Sequence, residues 1–513
     1  MFSDKKKTER ILIAGLSLLT MGSVAGCGAS SAETAAEIVE HTLSTGNTSS
    51  DTEYKVKVQT PGILVDQVGY NSTSDKSVVF CSKELPSEYE IKELETGKTV
   101  FKGDIIKKVY DEESGKYTGI GRFNDFDEEG RYYIYADLIG ESYSFSISEN
   151  VYEEPFFDAC RKYYNNRCGI AISQHSACHT TKAHMQESPD TDIDVTGGWH
   201  MDEKADRDTL MGSRILENLL LAYEINPEAF GDDEGIPESG NGIPDILDEA
   251  KYGAEWLLKM QDDRTGGVYG AALTDNGAAD VSSAQVLVTP VSMDATINFA
   301  AALGRFSYIY QKFEPDFATA SIRAADRAWE CYFNNQKATD NSATYKAAAQ
   351  LYRATGKSGY VGVMEDFFAL EDFTDRFNSD ENILLGSVTY LSTNQEVDKS
   401  QCDILIKSLM KKAEAIAKRA GENSFLISSF GDDDFDTLLS DMRCLTITNH
   451  IIYNHEYTTI IENHLHYLMG MNPEGINYVT TDTENTYIDR GRNGVMNDPG
   501  DDALLIFMLS GIK

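Results

Sequence analysis

Ile236-Pro-Glu-Ser-Gly-Asn-Gly-Ile-Pro-Asp-Ile-Leu-Asp-Glu249 passes from loop to helix within a few residues. Pro244 suits a helix start, where a missing N–H costs nothing. Beyond it, Ile246, Leu247, Ala250, Ala254, Leu257 and Leu258 share one face at helical spacing. The same texture returns at Asp294–Gln311, Ala318–Phe333, Ala343–Ala354, Gln401–Ala420 and Tyr457–Met469, Ala-rich and separated by loops carrying Gly, Asn and Asp. No short fixed period relates these segments, which favours a closed helical array over a solenoid. Residues 151–513 are therefore expected to form one all-α domain.

Upstream the pattern changes to short β-like runs: Ile63–Val68, Ser77–Cys81, Tyr89–Leu94, Arg131–Ala136 and Tyr143–Ile147, with Gly97, Gly115 and Gly130 between them. Strands at this spacing predict a β-sandwich over residues 59–150. Residues 28–58, rich in Ala, Ser, Thr, Gly and Glu without apolar period, read as a flexible linker. The first 27 residues combine Lys5-Lys-Lys7 and Arg10 with an apolar run from Ile11 to Met21 and then Val24-Ala-Gly-Cys27. This is the make-up of an export signal. Ending on cysteine, it resembles a bacterial lipoprotein signal, which implies a lipid on Cys27 and a protein tethered to the extracellular face of the cell membrane. An ordinary signal peptide with an incidental cysteine is the alternative.

Lys and Arg total 45 against 83 Asp and Glu, a net charge of −38. Phosphate would be repelled, so a nucleic-acid partner is not expected. Such acidity suits an exported protein acting on a neutral polymer. Eight cysteines scattered over the chain do not resemble a disulfide framework.

A second informative stretch runs Asp194-Val-Thr-Gly-Gly-Trp-His-Met-Asp-Glu-Lys-Ala-Asp206. Gly197-Gly198 permits close backbone approach, Trp199 offers a flat face to a sugar ring, and acids follow. Cys168 and His175-Ser-Ala-Cys178-His179 lie just upstream. Two thiols and two imidazoles from this window can make a four-coordinate zinc site that clamps the loop. A Cys168–Cys178 disulfide with unrelated histidines is the other reading.

Several blocks together resemble glycoside hydrolase family 9, the cellulase family with an (α/α)6 barrel, in the form preceded by an Ig-like domain. They are Val65-Asp-Gln-Val-Gly-Tyr70, Gly197-Gly-Trp-His200, Ile236–Glu249 with Trp256–Gln261, Ala347–Gly356 and Tyr467-Leu-Met-Gly-Met-Asn-Pro473. The resemblance implies β-1,4-linked glucan as the ancestral substrate class. It also implies a structural zinc held by Cys168, Cys178, His179 and His200, and calcium near the barrel loops. Asn241, Asp245 and Asp248 offer oxygen ligands for calcium, although Asp245 and Asp248 equally suit the first turn of a helix.

The catalytic positions depart from the family. Inversion needs a carboxylate base and a carboxylic acid roughly 6.5–9.5 Å apart. The resemblance places the base and its helper directly after Gly-Gly-Trp-His, where this chain has Met201 and Lys204. A thioether cannot take a proton from water. Asp202, Glu203 and Asp206 are nearby, and Asp202 or Asp206 could serve as base if the loop shifts. The family's general acid, a glutamate near the C-terminus, has its nearest counterpart in Asp498, one methylene shorter. Two functions follow: a surface-anchored glycosidase attacking β-glucan through Asp202 or Asp206 with Asp498, or a non-catalytic glucan-binding or surface-interaction lipoprotein on the same scaffold.

Overall fold

The computed structural model describes residues 60–275, 284–335, 341–429, 435–479 and 498–512. Cys27 and the linker lie outside these residues.

Ten short strands form the N-terminal unit: β1 (Ile63–Leu64), β2 (Gly69–Tyr70), β3 (Ser77–Ser82), β4 (Glu88–Glu93), β5 (Thr99–Asp104), β6 (Ile106–Asp111), β7 (Lys116–Arg122), β8 (Gly130–Ala136), β9 (Gly140–Glu141) and β10 (Phe145–Ile147). They pair as two sheets, ordered β1-β3-β7-β6 and β2-β10-β8-β4-β5, with β9 on β8. Every pairing is antiparallel except β2 with β10. The alternation of side chains along a strand explains how β3 faces two cores. Val78 and Phe80 join the sandwich interior with Tyr70, Tyr89 and Ile134. Val79 points the other way and packs with Leu64 on Met471 of the helical domain. One strand thus seals the sandwich and docks it.

Thirteen helices follow among the described residues: α1 (Glu153–Asn165), α2 (Thr209–Ile225), α3 (Asp245–Lys259), α4 (Met293–Tyr310), α5 (Pro315–Asn335), α6 (Ser342–Thr355), α7 (Gly359–Phe368), α8 (Phe373–Ser379), α9 (Glu381–Ser392), α10 (Lys399–Glu422), α11 (Phe435–Ile451), α12 (His455–Leu468) and α13 (Pro499–Ser510). Six of them, α2, α4, α6, α9, α11 and α13, form the inner ring, with the others outside. Their burial explains the division: α4 is buried on nearly every side, whereas α5 buries Ala318, Ser321, Ala325 and Ala328 on one stripe. Along the ring α2 packs on α4, α4 on α6, α6 on α9 and α11 on α13, and α13 returns to α2. The helices start where the sequence supplies caps. Asp208, Ser292, Asn341 and Asp380 each accept a first-turn N–H. Gly356, at φ 68°, ends α6 in the left-handed conformation. No described helix is long and apolar enough to cross a membrane.

The expected helical segments match α4, α5, α6, α10 and α12 to within a few residues, and the β-to-α change falls between β10 and α1. The barrel also carries strands that the all-α expectation omits. β11 (Ala183–Met185), β12 (Ser188–Ile193), β13 (Arg207–Asp208), β15 (Ala271–Thr274) and β16 (Val286–Val288) make a five-stranded sheet, while β14 (Val268–Tyr269) pairs with β17 (Val291–Ser292). They are too short and, in β12, too polar and exposed to show a period.

Candidate functional site

The Gly-Gly-Trp-His segment is held by its own backbone. Gly197 and Gly198 have φ of 112° and 76°, and a Cβ on Gly198 would come within 2.6 Å of the Trp256 ring. Only glycine fits this left-handed close approach. Cys168 N–H donates to Gly198 O, His200 N–H donates to Asn166 O, and Arg207 Nη1 donates to the carbonyls of Val195 and Gly197.

These bonds bring Cys168, Cys178, His179 and His200 together, all buried, with ligand atoms within 4.8 Å of one another. Cys168 and Cys178 sulfurs stand 3.8 Å apart, Cys168 Sγ is 3.3 Å from His179 Nδ1, and Cys178 Sγ is 3.2 Å from His200 Nε2. A disulfide needs about 2.05 Å. Two sulfurs on a tetrahedral ion, each at about 2.3 Å, stand about 3.8 Å apart. The set therefore has metal-site rather than disulfide geometry. Neighbours hold the Cys178 thiol well below its ordinary range, first the hydrogen bond with Cys168 and then those with the histidines, against burial. His179 Nε2 faces Thr274 Oγ1 at 3.3 Å, the outer-shell contact that fixes a ligand ring.

Trp199 departs from expectation. It is fully buried, its ring packed edge-on to Tyr163 and into the space that Gly253 leaves, with Nε1 donating to Glu249 Oε2 at 3.3 Å. No sugar can stack on it; it is a core residue that positions the loop. Met201 is also buried, and its sulfur accepts the Asp208 N–H at 3.3 Å.

The loop acids serve the loop. Asp202 Oδ1 accepts the N–H groups of Lys204 and Asp206. Asp206 Oδ1 accepts Thr274 N–H at 2.6 Å, and burial raises its pKa despite that bond. Glu203 is exposed. Asp498 caps α13, Oδ1 accepting Gly500 N–H at 2.8 Å.

Near the expected calcium ligands, the group whose carboxylates converge is Asp232, Asp245 and Asp248. Asn241 is not in it: its amide donates to Asp248 and its oxygen accepts Ile243 N–H. Asp232 is carried in by the N–H groups of Gly240 and Gly242. Burial pushes Asp248 up to about 6, against the Asn241 bond.

A cavity of 820 Å³ opens in the helical domain, lined from α2, α6, α8 to α11 and α13. Asp498 lines it; Asp202 and Asp206 do not. Its walls carry charges that the motif reading passed over. Lys346 pairs with Glu217 at 2.5 Å, and Arg443 pairs with Glu381 at 2.5 Å and donates to Asn218. Burial would raise Glu381, but the Arg443 charge holds it down at about 2. Asp501 is pushed up to about 9, first by burial, then by its hydrogen bond with Asp436 and the charge of Asp498. The available signal was a lone charge inside an apolar inner helix, as at Glu217 and Lys346.

A β-sandwich docked on a ring of six inner helices, with seven more described helices outside it and a polar cavity in the helical part, is the architecture of a two-domain helical barrel protein. Residues 152–490 match the glycosyl hydrolase family 9 model and residues 58–141 match the cellulase N-terminal Ig-like domain. The chain belongs to glycosyl hydrolase family 9. It is 28% identical over 482 residues to a cellodextrinase of Butyrivibrio fibrisolvens, covering 83% of this chain and 85% of the relative. It is 26% identical over 463 residues to endoglucanase D of Acetivibrio thermocellus, covering 82% and 72%. A metagenome-derived family 9 endoglucanase structure superposes with a TM-score of 0.78 at 23% identity, over 88% of this chain and 98% of that one. The expected sandwich followed by an (α/α)6 barrel is thus the fold.

Proposed function

We propose that this protein is a β-1,4-glucan-directed family 9 member that binds glycan in the barrel cavity and hydrolyses it slowly or not at all. The family and the glucan-acting relatives supply the substrate class. One observation carries the loss of turnover: the expected base position is Met201, a buried thioether, while Asp202 and Asp206 are engaged in loop hydrogen bonds outside the cavity lining. A positioned general base typically contributes about 10²–10⁴-fold. Asp498 caps a helix with one oxygen, which fixes its side chain toward its own backbone.

Inverting hydrolysis from a rearranged pair is the second reading. It is favoured by the cavity holding both a carboxyl that keeps its proton, Asp501, and one that stays ionised, Glu381. Calorimetry with cellotetraose and reducing-sugar release from soluble β-glucan separate the two. Binding without release supports the first. Release that disappears in D501N supports the second, and absence of both sinks the glucan assignment.

The metal at Cys168, Cys178, His179 and His200 is read as zinc from its two-sulfur, two-nitrogen donor set. When bound it supplies a fixed charge to which four ligands are tied; the residues themselves orient the Gly-Gly-Trp-His loop. Calcium at Asp232, Asp245 and Asp248 is the corresponding oxygen-donor reading. The leader sequence supports anchoring through a lipid on Cys27 at the outer face of the membrane.

A further inference from the structure

Beside the metal cluster stands a metal-binding side chain that the four-residue set leaves out. Cys168, Cys178, His179 and His200 are buried and converge, whereas His175 is partly exposed and lies outside that convergence. Its ring nonetheless comes within 5.1 Å of the His200 ring. After Cys168, it is the first of the histidines that hold the Cys178 thiol low. Nδ1 stands 2.8 Å from Ser176 O, so in the neutral ring Nδ1 carries the proton and Nε2 the lone pair. That Nε2 is buried, and no hydrogen-bond donor reaches it. A carbonyl on one nitrogen and an unused lone pair on the other is how a metal-binding histidine is prepared. His175 is prepared in this way without being one of the converging ligands.

The two histidines of the set are not held alike. His179 Nε2 faces Thr274 Oγ1, whereas His200 Nδ1 is buried without an acceptor. The less supported ligand is therefore the one beside His175. A tetrahedral ion on two sulfurs and two nitrogens is closed, so a further donor does not join it at rest. A closed, buried site must still be filled from solvent, and exposed Ser176 and Ala177 put His175 on that side. We propose that His175 is a transfer ligand, which captures a divalent ion from solvent on Nε2 and yields it to Cys178 and His200. One water leaves the hydrated ion as Nε2 binds. The remaining waters leave as Cys178, Cys168 and His179 bind, each thiol proton passing to the buffer. The bond to His175 then breaks as His200 Nε2 takes its place, and release runs through the same steps in reverse. This rests on the reading of the four-residue set as a zinc site.

The test is stopped-flow absorbance on the full chain, comparing wild type with H175A and H175Q. Loading is followed by mixing zinc-free protein with zinc, and release by mixing zinc-loaded protein with an excess of a chromophoric chelator. Competition with the same chelator at equilibrium gives the affinity. A residue that touches the ion only in transit changes both rates by one factor and leaves their ratio alone. Both variants are therefore expected to load and release about tenfold more slowly, with zinc affinity and the melting temperature of the loaded protein unchanged. Free imidazole should restore the rates in H175A. Rates equal to those of the wild type overturn the transfer role and leave the zinc site intact. Faster release with affinity weakened about 10–100-fold also overturns it, since His175 would then be a fixed support of the ligands. A wild-type chain that binds no zinc overturns both readings.

Discussion

Asp66 of the sandwich and His466 of outer helix α12 stand 2.9 Å apart, both without exposure to solvent. Asp66 Oδ1 also accepts the N–H groups of Val68 and Gly69, and the Tyr70 ring lies 4.6 Å from the imidazole. The motif Val65-Asp-Gln-Val-Gly-Tyr70 is therefore a docking plug as much as a strand. Gln67 extends it, with its N–H on Met469 O and Nε2 on Gly475 O. Removing one partner of a buried pair strands the other, at about 3–5 kcal/mol. We expect H466A to lower the unfolding free energy from denaturant titration by that amount, and the double variant with D66N to cost less than the two single changes summed. Additive losses would show that the pair is not coupled.

The same interface sets a pH dependence. Glu462, one turn before His466, is 8% exposed and is pushed up to about 7, chiefly by burial, with His466 opposing and Asp75 adding. Its ordinary value is 4.5. Between those values the folded chain holds a proton that the unfolded chain has lost. This group's contribution therefore favours folding at low pH and disappears as pH rises through about 7. The loss reaches about 3 kcal/mol at most. Unfolding at several pH values should show E462Q lacking this part of the decline; identical slopes would contradict it.

Trp199 and Gly253 make a packing pair, since a Cβ at 253 would overlap the indole. W199A is expected to cost about 3–5 kcal/mol and G253A about 1–3 kcal/mol. Neither should alter tetrasaccharide affinity in the folded fraction. A specific loss of affinity in W199F, with its melting temperature preserved, would return the ring to the binding site.

For Asp206, the bond to Thr274 N–H predicts a stability effect. D206A should cost about 1–3 kcal/mol through an unsatisfied buried N–H and leave glycan affinity unchanged. A variant that instead loses turnover with no change in stability would make Asp206 a base.

Purified protein should carry one zinc per chain at the Cys168–Cys178–His179–His200 set. Chelation should lower its melting temperature and expose two thiols to titration. Detection of a Cys168–Cys178 disulfide would remove the site.

Much of the fold was legible because it is written locally. Strand β3 shows its short β-branched and aromatic run and α3 its single apolar face, and the thioether at Met201 can be read without coordinates. What stayed hidden depends on distant partners. A tryptophan after two glycines reads as an exposed platform until Gly253 supplies the slot that swallows it. Asn241 reads as a calcium ligand until the turn through Gly240 and Gly242 brings in Asp232. Glu217 and Lys346 meet only when the ring closes.

Thr274 receives Asp206 at its amide, while its hydroxyl reaches both Ala205 O and His179 Nε2. One threonine thus stitches the acid-bearing loop and the metal cluster to the same strand. If the base has been lost, as proposed, a single codon change at 201 would not restore it. The new aspartate would enter a closed pocket on a backbone already committed elsewhere, so the route back runs through the strand before it reaches the loop.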